Sequence, residues 1–356
     1  MQAFYSGIQW MRREYIFVFA GNEYAHRAFD DYCRGKEGFG PLFLWRMVRI
    51  AIACPKMVED IMRIATAAYP ITWLNSWDEY EQKLDHWVAD AADHGAEFLV
   101  FPEYASMELS SLAGEERAAK METALSSVSD VFDRICETYK NLAKRYGVHI
   151  LSGSAPVWDD GRYVNRLGVF DPSGAYILQD KQIMTRFERE EWCVEHGNPL
   201  NVIETDLGRF GILICYDSEF PKLGRALKDV DVLLVPSCTE AMHGYWRVRI
   251  GAMARALENQ CVSVMSSLLS NEARFNGVDE ATGAGGVFGP PDRGFPADGV
   301  MALGEIGAPE WTYCDIDLDA IKAVRKDGVV LNRTHWSEQD MRDLSVPVVT
   351  VSDESS

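Results

Sequence analysis

Three side chains of complementary chemistry each stand at the end of an apolar segment. Glu103 follows EFLVFP, Lys181 follows AYILQD and Cys215 follows FGILI. Taken singly, each has an ordinary reading: a loop acid, a surface lysine and a packed core thiol. Together, at equivalent ends of strands in one sheet, they can converge, because functional side chains in open α/β sheets lie beyond the carboxyl ends of strands. A thiol has a pKa of about 8.5, so only a few per cent is thiolate at pH 7. A neighbouring ammonium favours the thiolate, and a neighbouring carboxylate can take the proton as attack begins. Lys181 and the backbone N–H of Tyr216 would then hold the oxyanion, donors each worth on the order of 3 kcal/mol. Proton transfer through Glu103 adds about 10²–10⁴-fold. On this reading Cys215 is the most nucleophilic of the eight thiols.

The elements that must position these residues are legible in the hydrophobic periodicity. MRIATAAYPI (62–71), EFLVFPEY (97–104), VHILSGSAP (148–156), RFGILICYD (209–217), DVLLVPSC (231–238), CVSVMSSLL (261–269) and WTYCDIDL (311–318) read as strands. The nearly continuous apolar runs among them suit strands buried on both faces. RLGVFDPSG and AYILQDKQI read as a hairpin around Pro172–Gly174. Ser76 and Glu79 form a capping box ahead of a helix carrying Trp77, Tyr80, Leu84, Trp87, Val88 and Ala91, which Gly95 stops. A longer helix bears Leu125, Val128, Phe132, Ile135, Tyr139 and Leu142 up to Gly147, and another bears Trp246, Ile250, Met253 and Leu257. Strands alternating with helices imply a layered α/β fold. One catalytic domain spans roughly residues 61–345. Residues 1–60 lack sustained periodicity and read as a poorly ordered extension, and 346–356 as a polar tail.

The motifs FPEY, DKQIMTRFEREEW, GILICYDSEFP and GAMARALENQ, with Arg333 and Trp336 in R-x-x-W, make residues 62–337 similar to the nitrilase superfamily of carbon–nitrogen hydrolases. The resemblance implies a four-layer α-β-β-α sandwich, a Glu103–Lys181–Cys215 triad, no cofactor and no metal. It aligns a second site glutamate with Glu188, with Glu190 and Glu191 as neighbouring alternatives. It also implies a homodimer or higher homo-oligomer. Cys215-Tyr216-Asp217 matches the C-Y-D of amidases rather than the C-W-E of nitrilases, which points to a small-molecule amide substrate ahead of a nitrile. Tyr216 and Asp217 are candidates for binding substrate or oxyanion, although a packed tyrosine and a turn-capping aspartate are the plain alternatives. His243 is a candidate pocket residue, and the Gly/Pro-rich stretch 283–296 a rigid loop beside the site.

Composition removes other classes. The net charge of −19 and the absence of a Lys/Arg block disfavour nucleic acid. No apolar run reaches the roughly 18–20 residues of a membrane span. The cysteines are scattered singly, which suits a reducing cytoplasm and offers neither a disulfide framework nor a metal motif. A papain-like protease would need a histidine base near a strand-end motif, and a non-catalytic binding protein would not need three competent triad positions.

Overall fold

The computed structural model describes residues 61–350. Alternation along β1 (Ile61–Pro70) sends Met62 and Ile64 to one face and Ala65, Ala67 and Tyr69 to the other, as the two-residue strand period requires. β2 (Phe98–Val100) and β3 (His149–Leu151) extend the sheet in parallel on one side of β1. β5 (Arg162–Phe170) follows antiparallel, between β4 (Ala155–Asp159) and β6 (Tyr176–Asp180), with β7 (Val194–Glu195) pairing β5 in parallel.

On its other side β1 changes partner. β15 (Glu310–Asp317) runs antiparallel to Ile61–Ala68, and β11 (Val262–Asn271) takes over in parallel at Ala68–Pro70. From β11 the sheet continues through β10 (Val232–Ser237) and β9 (Gly208–Ile212) to β8 (Ile203–Thr205). Three short strands, β12 (Glu280–Ala281), β13 (Gly286–Phe288) and β14 (Val300–Leu303), complete the edge. This hand-over folds the sheet into two facing halves. Met62, Ile64, Phe98 and Val100 meet Phe210, Ile212, Leu234 and Val264 between them, and the Phe98 and Phe210 rings stack at 4.5 Å.

Helices cover the outer faces. α1 (Trp77–Asp93), α2 (Met121–Ser129) and α3 (Phe132–Tyr146) pack on the Ala65, Ala67, Leu99 and Phe101 side. α6 (Met242–Asn259) and α7 (Leu318–Asp327) pack on the other half, and the short α4 (Arg186–Glu190) and α5 (Pro221–Ala226) follow β6 and β9. The result is the α-β-β-α sandwich expected.

Four details differ from the sequence reading. The helix expected over 125–142 is two, α2 and α3. Ser126 and Ser127 hydroxyls donate back to the carbonyls of Thr123 and Ala124, and Ser129 Oγ accepts the Trp158 N–H; such side-chain bonds compete with the helix ladder. At α1 the capping box is half built, since Ser76 caps the Glu79 N–H but the Glu79 carboxylate accepts from Asn75. The strand at 311–318 runs into α7, capped by Asp317 through the N–H groups of Asp319 and Ala320. Finally, α6 turns its apolar stripe outward: Ile250 is 63% exposed, whereas Tyr245, Val248, Gly251, Ala252, Arg255 and Ala256 face inward. The extension 1–60 and the last six residues of the tail lie outside the described residues.

Candidate active site

Four strand ends deliver the polar groups. Glu103 stands three residues past β2, Lys181 directly after β6, Cys215 three past β9 and Cys238 directly after β10. Apolar strands bury their own length and release the chain at the sheet margin, so these side chains meet in a pocket closed to water. Glu103 and Lys181 are each 1% exposed.

Lys181 Nζ donates to Glu103 Oε1 at 2.7 Å and to Glu188 Oε2 at 2.6 Å. Glu103 Oε2 accepts the backbone N–H of Cys238 at 2.9 Å. Glu188 sits at the third position of α4 in a true capping box: Thr185 Oγ1 accepts the Glu188 N–H, and Glu188 Oε2 accepts the Thr185 N–H. Its other oxygen accepts from the Tyr104 hydroxyl at 2.8 Å. Of the three neighbouring acids, Glu188 is the one brought into the cluster; Glu190 is exposed and paired with Arg186, and Glu191 is exposed.

Burial alone would lower the Lys181 ammonium, but the two carboxylates outweigh it and hold the charge well above the ordinary range. Burial pushes Glu103 up, only partly offset by Lys181, while Glu188 is held below its usual value because Lys181, Thr185 and Tyr104 outweigh its burial. One ammonium thus serves two carboxylates, and the more basic one is Glu103.

Cys215 opens a tight turn with φ of +49°, left-handed for a residue with a Cβ, a conformation that costs on the order of 1–2 kcal/mol and persists only under surrounding constraint. The constraint is visible. Ser218 Oγ donates to the Cys215 carbonyl at 2.7 Å, and Arg255 Nη1 donates to the Ser218 carbonyl at 3.0 Å. α6 comes so near that a Cβ on Gly251 would lie 2.9 Å from that carbonyl oxygen. Tyr104, beside Glu103, is also left-handed at φ of +56°.

The expectation that Lys181 would draw Cys215 to a resting thiolate is corrected here. Burial and the nearby Glu103 carboxylate raise the thiol well above its ordinary value, outweighing Lys181, whose charge is already shared by two carboxylates. Cys215 is thus held as the thiol.

Asp217 is fully buried, and its carboxylate accepts the backbone N–H groups of Gln182 and Ile183, at 2.8 Å for the latter. That ties the turn after Cys215 to the segment after Lys181. Burial pushes it to about 7. Tyr216 is half-buried, edge-on to Phe220. His243 is exposed in the first turn of α6. The stretch 283–296 supplies β13 and then a turn in which Asp292 accepts the Val329 N–H at 2.8 Å, so it fastens the chain beyond α7.

Sequence reasoning missed Asn165 and the backbone of Cys238. Asn165 Nδ2 donates to Glu103 Oε1 at 3.0 Å and to Glu188 Oε1 at 3.3 Å. The available signal was a polar, strand-disfavoured residue beside Arg166 inside the strand-like run YVNRLGVF.

Comparison with known proteins finds relatives of this chain. Probable hydrolase YhcX of Bacillus subtilis is 32% identical over 271 residues, covering 76% of this chain and 52% of the relative, so the chain spans about half that protein's length. The omega-amidase NIT2 of Danio rerio is 26% identical over 251 residues, 67% of this chain and 83% of the other. A crystal structure of a carbon-nitrogen hydrolase from Helicobacter pylori superimposes with a TM-score of 0.62 at 15% identity, covering 80% of this chain and 96% of that one, and so shares the fold. The sequence profile described as carbon-nitrogen hydrolase matches residues 63–275, more than half of the chain. The chain therefore belongs to the carbon–nitrogen hydrolase family.

Proposed function

We propose that this protein hydrolyses a small-molecule amide through an acyl-thioester on Cys215. The observation that carries the reading is the buried Glu103–Lys181–Glu188 cluster beside a cysteine held on a strained turn. Cys215 Sγ attacks the amide carbon as its proton passes to Glu103. Lys181 and the Tyr216 N–H hold the oxyanion, which forms only in the transition region and so contributes to rate rather than to uniform binding. Glu103 then hands the proton to the departing nitrogen, ammonia or an amine leaves, and the thioester remains. Water, deprotonated by Glu103, releases the acid. Glu188 holds Lys181 and Asp217 holds the turn that carries it, so both act through the lysine rather than on substrate. The chemistry calls on no cofactor.

The C-Y-D turn and the amidase names among relatives favour amides over nitriles. Ammonia release from matched amide and nitrile pairs sharing one acyl group should give kcat/KM at least about tenfold higher for the amide, a difference of about 1.4 kcal/mol in transition-state binding. A preference of that size for nitriles reverses the assignment.

We further propose a homodimer built on α6, supported by the stripe of Trp246, Ile250 and Leu257, which are 43%, 63% and 41% exposed; contiguous exposed apolar surface commonly marks an interaction site. Sedimentation should give twice the 40.1 kDa chain mass, with Ile250→Glu reducing it to one chain. A monomeric wild type would refute this. Among the described residues no helix is long and apolar enough to cross a membrane. The six described cysteines are all unpaired, which supports a reducing, cytoplasmic setting.

A further inference from the structure

We propose that Asn165 is a positioning residue of this site, whose carboxamide bridges the base Glu103 and the second glutamate Glu188 and fixes one against the other. The inference rests on the triad reading above. Asn165 lies in β5, fully buried, opposite Pro156 of β4. Its Nδ2 spans Oε1 of both glutamates, at 3.0 and 3.3 Å. Its Oδ1 is buried without a hydrogen-bond partner. Burying an amide with an orphan carbonyl carries a desolvation cost, so an apolar side chain would serve the strand better if packing were the only task. The unmatched cost implies that the two N–H bonds to the carboxylates are what the position supplies.

Electrostatics explain the need. Two carboxylates share one ammonium in a dry pocket, leaving a net negative cluster. Glu103 is faced by Lys181 from the end of β6, Glu188 from α4, Cys215 and Asp217 from the turn after β9, Tyr104 beside it and Cys238 after β10. Lys181 and Asn165 donate to both carboxylates, whereas Tyr104 donates to Glu188 alone. A donor to the ionised form favours that form. Without Nδ2, Glu103 gains basicity it does not need, stays protonated to higher pH and turns away from Cys215.

The test compares kcat/KM against pH for the wild type, Asn165→Leu, Asn165→Asp and Tyr104→Phe. Activity is lost as pH falls through the value at which Glu103 protonates. The leucine variant should therefore move the acid limb upward by about one pH unit and lower kcat about tenfold or more at neutral pH, with KM held. Asn165→Asp, nearly isosteric, puts a third carboxyl into the negative cluster and should move the acid limb at least as far as leucine does; a wild-type profile for aspartate would overturn the inference. Tyr104→Phe should leave the acid limb in place, because that hydroxyl touches only Glu188. If the leucine variant does not fold, Asn165→Ser, too short to span both carboxylates, gives the same readout. An unmoved acid limb in the Asn165 variants overturns the inference while leaving the triad standing. If the wild type turns over no amide or nitrile, the functional reading fails instead, and the same shift is sought in the pH dependence of Cys215 alkylation by iodoacetamide.

Discussion

Cys215→Ala should abolish ammonia release while the protein keeps its fold. On the proposed mechanism the Cys215 thiol is the nucleophile beside Glu103 and Lys181, so removing it leaves no atom there to form the acyl intermediate. Where residues act as a unit, losing the nucleophile costs on the order of 10⁴–10⁶-fold in kcat. Stability should change little, because the Sγ bond to the Cys238 carbonyl is long, at 3.7 Å, and a small truncation typically costs about 1 kcal/mol. The left-handed backbone at 215 is held by Ser218 and Arg255, not by the sulfur, so the turn should survive. Iodoacetamide offers a second check. Because burial keeps Cys215 a thiol at rest, the exposed Cys193 should be alkylated first, with Cys215 slow and fully protected while substrate is trapped on it as the thioester. A variant retaining about a tenth of wild-type kcat/KM, well above the residue left when a nucleophile is removed, would sink the thioester mechanism.

How much of this was written in the sequence depends on whether the determining physics is local. β1, β9, β10 and β11 were legible because a strand buried on both faces must be an apolar run. The turn at Pro172–Gly174 was legible because its residues set their own backbone. The positions of Glu103, Lys181 and Cys215 followed from strand ends alone. The assignment of Glu188 came from the resemblance carried by DKQIMTRFEREEW, and the fold shows that Thr185 and Glu188 form a capping box, a local device that turns the acid inward.

What was hidden is non-local. No pattern near Asn165 says that β5 will lie across the cluster from Glu103 and Glu188, which are 62 and 23 residues away in sequence. The outward stripe of α6 misled for the same reason. Periodicity reports that a helix has an apolar face but not which neighbour covers it, and here Tyr245, Val248, Gly251, Ala252 and Ala256 form the inner face while Trp246, Ile250 and Leu257 remain outside. The state of Cys215 was misjudged because one ammonium was counted for the thiol alone, whereas two carboxylates had already claimed it.

That shared ammonium makes Lys181→Met the substitution with the largest expected effect on stability. Methionine fills the volume of the lysine stem but leaves Glu103 and Glu188 buried with no cation between them. Breaking a buried ion pair by removing one partner costs about 3–5 kcal/mol, because the remaining charge is uncompensated; Tm should fall by on the order of 10 °C. The pH dependence has a definite sign. Both carboxyls would titrate in the folded variant above their unfolded value of about 4.3, so over that window the folded state binds more protons than the unfolded one. Stability then declines as pH rises from the unfolded to the folded value, and the variant should gain Tm on moving from neutral to mildly acid buffer relative to the wild type. Adding Glu188→Gln removes one of the two uncompensated charges and should recover part of the loss, a coupling that a double-mutant cycle reads directly. On the proposed mechanism turnover stays absent in both, since neither restores the oxyanion cation. Equal stability of Lys181→Met and wild type across that pH range would mean that the carboxylates are not held charged by the lysine, and the electrostatic account of the site would fall with it.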